Sequence, residues 1–158
     1  MNQKQLTQLF QQELIPLYTK SEIEILLSLT LEKHIKDSNI ELVNKIYLEL
    51  SDDLIDQFKG VLAELKNHRP IQYILNQAHF FGLIFQVNEQ VLIPRPETEE
   101  LVFWVLQDLK AKKLENAKVL DIGTGSGCIA ISLKKNLPLI QMSAIDVSAT
   151  ALEVAKVN

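Results

Sequence analysis

Val119-Leu120-Asp121-Ile122-Gly123-Thr124-Gly125-Ser126-Gly127-Cys128 holds three of the chain's five glycines within five residues. The run before them, Lys118 to Ile122, is β-branched and aliphatic. The run after them, Cys128 to Lys135, has a helical pattern. Strand, glycine turn and helix in that order predict a turn that brings backbone N–H groups close to a nucleoside-bearing ligand. Spacing then selects the ligand. A dinucleotide fingerprint requires G-x-G-x-x-G, and its third glycine falls on Cys128. The pattern here is D-x-G-x-G-x-G. A carboxylate at Asp121 suits a ligand with a cationic amino-acid end and is a poor neighbour for a pyrophosphate. The form points to S-adenosylmethionine rather than to a nicotinamide dinucleotide.

The second half of the signal lies downstream. Gln141 to Val147 predicts another strand, and Asp146 stands at its end. An acidic residue there, roughly 20 residues past the glycines, is where such sheets hold a ribose diol. Ser148 is placed to cap a helix from Ala149 to Val157. The expected cofactor residues are therefore Asp121, Gly123, Thr124, Gly125, Gly127 and Asp146. Gly123 to Gly127 would approach the methionine part, Asp121 its ammonium and Asp146 the ribose hydroxyls. The plainer alternative makes Asp121 a strand-end turn residue and Asp146 a charge at a helix N-terminus.

Composition bounds the rest. The apolar fraction of 47% is enough to bury a core, and a net charge of −4 argues against a general nucleic-acid binder. A single cysteine, Cys128, excludes a disulfide framework and fits a reducing, cytoplasmic setting. Its expected role is a small buried residue at a helix start. No run of about 18 apolar residues is present, so no membrane span is expected. The polar start Met1-Asn2-Gln3-Lys4-Gln5 is not a signal peptide.

The first 75 residues carry helical periodicity and almost no strand signal. A helix from about Gln3 to Leu14 shows Leu6, Leu9, Phe10 and Leu14 on one face. A second starts at a capping box, Ser21-Glu22-Ile23-Glu24, and carries Ile25, Leu26, Leu29 and Ile35. A third starts at Ser38-Asn39-Ile40-Glu41. A fourth follows Ser51, with Asp52 and Asp53 at its positive end. A short fifth begins at Pro70. Near Ala78 the period changes. His79 to Val87 is dense in aromatic and branched residues, Asn88-Glu89-Gln90 is a turn candidate and Val91-Leu92-Ile93 returns as a strand, which predicts a β-hairpin over 79–93. Pro94 and Pro96 end it. Pro96 opens a helix with Glu97, Glu99 and Glu100 near its start. Those glutamates are ordinary helix-end charges before they are a metal site, and no metal is expected.

At this point the residues carry a resemblance. Arg69-Pro70-Ile71-Gln72-Tyr73-Ile74, Phe81-Gly82 with Phe85 and Val87, Val91-Leu92-Ile93-Pro94-Arg95-Pro96-Glu97-Thr98-Glu99 and the glycine stretch, in that order and spacing, are similar to the protein-(glutamine-N5) methyltransferases that act on peptide chain release factors. The string from Ile93 to Glu99 is the specific part. The resemblance implies an α+β chain: an N-terminal helical bundle, a β-hairpin linker and the first part of a class I, Rossmann-like methyltransferase domain. The corresponding segments are a helical substrate-recognition domain at 1–76, the linker at 77–95 and a partial S-adenosylmethionine-binding domain at 96–158. It also implies N5-methylation of the glutamine in the Gly-Gly-Gln loop of a release factor, with no membrane and no direct nucleic-acid partner.

Members of that family carry an Asn-Pro-Pro-Tyr motif that grips the target amide and orients its nitrogen for in-line transfer. The 158 residues contain no such motif. The expectation is thus an N-terminal portion, inactive by itself, with its catalytic residues unknown. Arg95, held between two prolines, reads either as a surface turn or as a rigidly presented cation at a substrate or cofactor entrance that Glu97 would share. Two other functions stay open on the sequence: a related methyltransferase acting on another amide or on adenine, and a non-catalytic partner-binding module.

Overall fold

The computed structural model describes residues 1–37, 50–114 and 116–158, and the helix expected from Ser38 lies outside them. The chain divides into two compact units, Met1–Leu75 and Asn76–Asn158.

The first unit is helical. Helix α1 (Gln3–Leu14) starts at Asn2, whose side chain accepts from Gln5 N–H while the Gln5 side chain returns to Asn2 N–H. That exchange satisfies two of the donors every helix start leaves over. Helix α2 runs Lys20–Asp37. Its start differs from the sequence expectation. The box forms at Thr19, two residues before Ser21: the Glu22 carboxylate accepts from both Thr19 N–H and its hydroxyl at 2.7 Å. The Thr19 N–H holds the Glu22 carboxyl below its ordinary pKa, with the Thr19 hydroxyl adding to the effect. The buried stripe moves with it, to Ile23, Leu26, Leu27 and Thr30, while Ile25 is exposed. Buried Thr30 satisfies its hydroxyl on the Leu26 carbonyl at 2.7 Å.

Helix α3 (Asp52–Lys66) is capped by Ser51 on Leu54 N–H and buries Leu54, Phe58, Val61, Leu62 and Leu65. Phe10 and Phe58 meet edge to face at 6.2 Å in the middle of this core. A single-turn helix α4 (Ile71–Ile74) follows Pro70.

The second unit opens on the hairpin β1 (Gln77–Phe80) and β2 (Leu83–Gln86), antiparallel with Phe80 opposite Leu83. Its turn is Phe81-Gly82, not Asn88–Gln90. Residues 88–91 do turn, Val91 N–H donating to the Asn88 carbonyl, but 91–93 form no strand. Positive φ at both central residues, 49° and 71°, makes the hairpin turn the mirror-image type whose twist matches the strands. Glycine adopts that conformation freely, whereas a phenylalanine there is uncommon. The Glu99 carboxylate accepts the Phe81 N–H at 3.0 Å and so pins the strained residue.

Helix α5 (Pro96–Ala111) supplies Glu99, with Pro96 in its first turn. Strand β3 (Lys118–Ile122), helix α6 (Cys128–Asn136), strand β4 (Gln141–Ile145) and helix α7 (Ala149–Val157) complete the unit. β3 and β4 are parallel, pairing Lys118 with Gln141 through Ile122 with Ile145. The core gathers Phe80, Phe85, Val102, Leu106, Cys128, Leu133 and Ile140, so the hairpin contributes two phenylalanines to it. Leu120, Ile122 and Ile145 of the sheet are exposed.

The pinned turn makes a measurable difference. Glu99→Ala is expected to destabilise the second unit by about 1–2 kcal/mol, the cost of leaving a part-buried N–H without its charged acceptor. Glu97→Ala removes the same kind of helix-end charge from an exposed position and should shift stability by less. Denaturant melts of the two variants check this, and equal shifts would show that Glu99 acts only as a helix-end charge.

Candidate functional site

The glycine loop between β3 and α6 is fastened to the end of β4. Gly123 and Thr124 both donate their N–H groups to the Ile145 carbonyl, at 2.9 and 3.0 Å. Gly125 N–H donates to the Asp146 carboxylate at 2.8 Å, and Gly127 N–H to the Thr124 carbonyl at 2.8 Å. The other Asp146 oxygen accepts Ser148 N–H at 2.9 Å. The Thr124 hydroxyl donates to Asp121 at 2.7 Å. Asp121, Gly123, Thr124, Gly125, Gly127 and Asp146 are thus brought together by two sets of hydrogen bonds that meet at the adjacent residues Ile145 and Asp146.

Four loop N–H groups are engaged inside the loop and on β4, so they do not form a cradle for an anion. With carboxylates at Asp121 and Asp146 beside it, the loop disfavours a pyrophosphate. An ionised carboxylate has about four acceptor positions. Each aspartate keeps acceptor capacity after its contacts within the protein, which suits an ammonium or a pair of hydroxyls.

The glycines divide the work. All three have φ in the left-handed region, 79°, 55° and 81°. A Cβ on Gly123 or Gly125 would meet nothing within 4 Å, whereas one on Gly127 would lie 3.0 Å from Ile131 Cδ1 and 3.4 Å from Ala155 Cβ. Gly127 therefore serves packing between α6 and α7, while Gly123 and Gly125 keep a face of the loop open. That open face lies beside the carboxylates of Asp121 and Asp146.

Backbone donation from Ser148, then from Gly125, holds the Asp146 carboxyl below its ordinary range. A depressed carboxylate pKa adds stability above the unfolded value, and that stability is lost as pH falls through the folded one. Burial pushes the Cys128 thiol up, so it stays protonated at neutral pH.

Arg95 and Glu97 are exposed at the start of α5. No hydrogen bond or ion pair joins either to the glycine loop among the described residues, so the structure does not bring them into this constellation. Two participants escaped the sequence. The Ile145 carbonyl carries no side-chain signal. Asn158 donates to the Ser126 carbonyl at 3.0 Å, and an asparagine following a helix does not announce such a reach.

The family model of the methyltransferase small domain matches residues 103–158. A release factor glutamine methyltransferase of Flavobacterium psychrophilum is 50% identical over 150 residues, 94% of this chain and 53% of that protein. This chain is a homologue of the release factor glutamine methyltransferase family. Proteins of the same name from Chlorobaculum tepidum and Streptococcus pneumoniae are 47% and 50% identical over 107 and 101 residues, 36% and 35% of their lengths. The chain spans about half the length, or less, of these curated relatives. Among the described residues, no helix is long and apolar enough to cross a membrane.

The division among the glycines gives opposite orders for two measurements. Gly127→Ala should lower stability more than Gly125→Ala, because each adds about 1–2 kcal/mol of left-handed strain and only the former displaces a packed neighbour. Gly125→Ala should lower S-adenosylmethionine affinity more, because its methyl enters the open face. Thermal melts and calorimetric titrations compare them, and the same order in both would show that the open face is not where the ligand sits.

Proposed function

We propose that the protein to which this chain belongs transfers a methyl group from S-adenosylmethionine to the side-chain nitrogen of the glutamine in the Gly-Gly-Gln loop of a peptide chain release factor, in the cytoplasm. The observation that carries the cofactor half is the loop whose N–H groups are consumed internally while two carboxylates and an open glycine face remain. The substrate half rests on the names of the relatives and on the string Ile93-Pro94-Arg95-Pro96-Glu97-Thr98-Glu99.

S-adenosylmethionine, when bound, supplies a methyl group on a sulfonium. The amide nitrogen forms the new N–C bond, the C–S bond breaks with its electron pair left on sulfur, and an amide proton passes to solvent. In this scheme Asp121 holds the ammonium of the methionine part. Asp146 accepts the ribose hydroxyls without letting go of Gly125. Gly123 and Gly125 admit the ligand against the backbone. Arg95 and Glu97 are assigned to the entrance. The contribution of all these groups is positioning, which turns an encounter of two molecules into a step within one complex.

The full-length protein, incubated with a release factor and S-adenosylmethionine, is expected to add one methyl group to the Gly-Gly-Gln glutamine, read by mass spectrometry of the digested factor. Asp146→Ala should weaken S-adenosylmethionine binding roughly tenfold or more, since charge-assisted contacts to two hydroxyls are lost. Methyl transfer to adenine in nucleic acid, with none to the factor, would replace this proposal. Unchanged affinity in Asp146→Ala would remove that residue from the cofactor site.

A further inference from the structure

The Asn158 amide makes three hydrogen bonds. Its Oδ1 accepts Gln86 N–H at 2.6 Å, and its Nδ2 donates to the Gln86 carbonyl and to the Ser126 carbonyl, both at 3.0 Å. The hairpin register explains the first pair. Val87 N–H donates to the Asn76 carbonyl across the hairpin, and Gln86 is opposite Gln77. Hydrogen-bonded and non-hydrogen-bonded pairs alternate along antiparallel strands. The N–H and carbonyl of Gln86 therefore point away from β1, on the free edge of β2. Asn158 offers that edge one acceptor and one donor, as a neighbouring strand would.

The third bond reaches the glycine loop. Ser126 C=O and Gly127 N–H belong to one planar peptide unit. Thr124 holds its N–H side and Asn158 its carbonyl side. The residues flanking Ser126 are both glycines with positive φ, so the local chain has little stiffness of its own. A cleft of about 430 Å³, lined by Gln86, Val87 and Asn88 on one side and Thr150, Glu153 and Val157 on the other, lies between the segment after β2 and α7. The amide thus ties the two elements together beside an open cleft.

We propose that Asn158 is a positioning residue that clamps the Ser126–Gly127 peptide and couples the hairpin to the cofactor loop. Its effect on cofactor affinity rests on the function proposed above, whereas its effect on the loop does not. Only an amide supplies the one acceptor and two donors required. Asn158→Asp keeps the shape but sets a carboxylate against two carbonyls, and Asn158→Ala removes all three bonds. Asp is therefore worse than Ala, the reverse of what a space-filling role gives.

The test uses amide hydrogen exchange and calorimetry with S-adenosylmethionine on the full-length protein. Exchange at Gly127 is expected to rise about tenfold in Asn158→Asp and about threefold in Asn158→Ala, with Leu133 inside α6 unchanged as the sign that the unit stays folded. S-adenosylmethionine affinity should fall in the same order and by similar factors. Lys156→Glu, which places a negative charge near the same helix end away from the carbonyls, should leave Gly127 exchange as in the wild type. Unchanged exchange at Gly127 in both Asn158 variants, or Ala worse than Asp, overturns the clamp. If the wild type takes up no S-adenosylmethionine while Gly127 still responds in the stated order, the cofactor assignment fails and the clamp stands. Should Asn158→Asp unfold, the Ala variant decides by its own exchange at Gly127.

Discussion

The end of β4 holds the glycine loop, and every feature of the site depends on that attachment. A stretch with glycine at every second position has more conformational freedom to lose than almost any other. It needs many local bonds to take one shape. The parallel register supplies them by placing Ile145 opposite Ile122 at the strand ends. The Ile145 carbonyl then takes two loop N–H groups, and the Asp146 carboxylate takes a third together with the start of α7. One strand end thereby shapes the loop and the start of α7. Donors spent on the protein in this way are not offered to a phosphate.

Support for this arrangement comes from farther along the chain. The hairpin is fixed at its turn by Glu99 of α5 and at the edge of β2 by Asn158. Its phenylalanines Phe80 and Phe85 pack with Leu133 of α6 in the core, and α6 begins where the loop ends. Packing and hydrogen bonding therefore converge on the Gly127 helix start from opposite directions. Gly127 itself permits the approach of Ile131 and Ala155 that a side chain would obstruct.

Much of this was legible in the residues, for physical reasons that differ from element to element. Helix α1 was readable from its apolar period over Gln3–Leu14, and helix α3 because cap chemistry and apolar period agree at Ser51–Leu65. The order of β3, loop, α6 and β4 was readable because glycine spacing and two aspartates mark the ends. Helix α2 was read two residues late: Ser21 and Thr19 are both good caps, and only tertiary packing of Ile23 and Leu27 chooses between them. The hairpin turn was misplaced because Asn88–Gln90 has ordinary turn composition, whereas Phe81-Gly82 needs a phenylalanine at positive φ that Glu99 holds from 18 residues away. The direction of the loop N–H groups was not legible at all, since it follows from register between strands. Asn158 was missed for the same reason: its partners Gln86 and Ser126 are joined to it only by the fold.

The loop and Asp146 are proposed as the site of S-adenosylmethionine and not of a nicotinamide dinucleotide. Chemical-shift mapping of the full-length protein with S-adenosylhomocysteine, and separately with a nicotinamide dinucleotide, distinguishes the two. Saturable shifts are expected at Gly123, Thr124, Gly125 and Asp146 with S-adenosylhomocysteine, and none there with the dinucleotide. Saturable shifts at those residues with the dinucleotide, or S-adenosylhomocysteine shifts confined to residues outside the loop and β4, would contradict it.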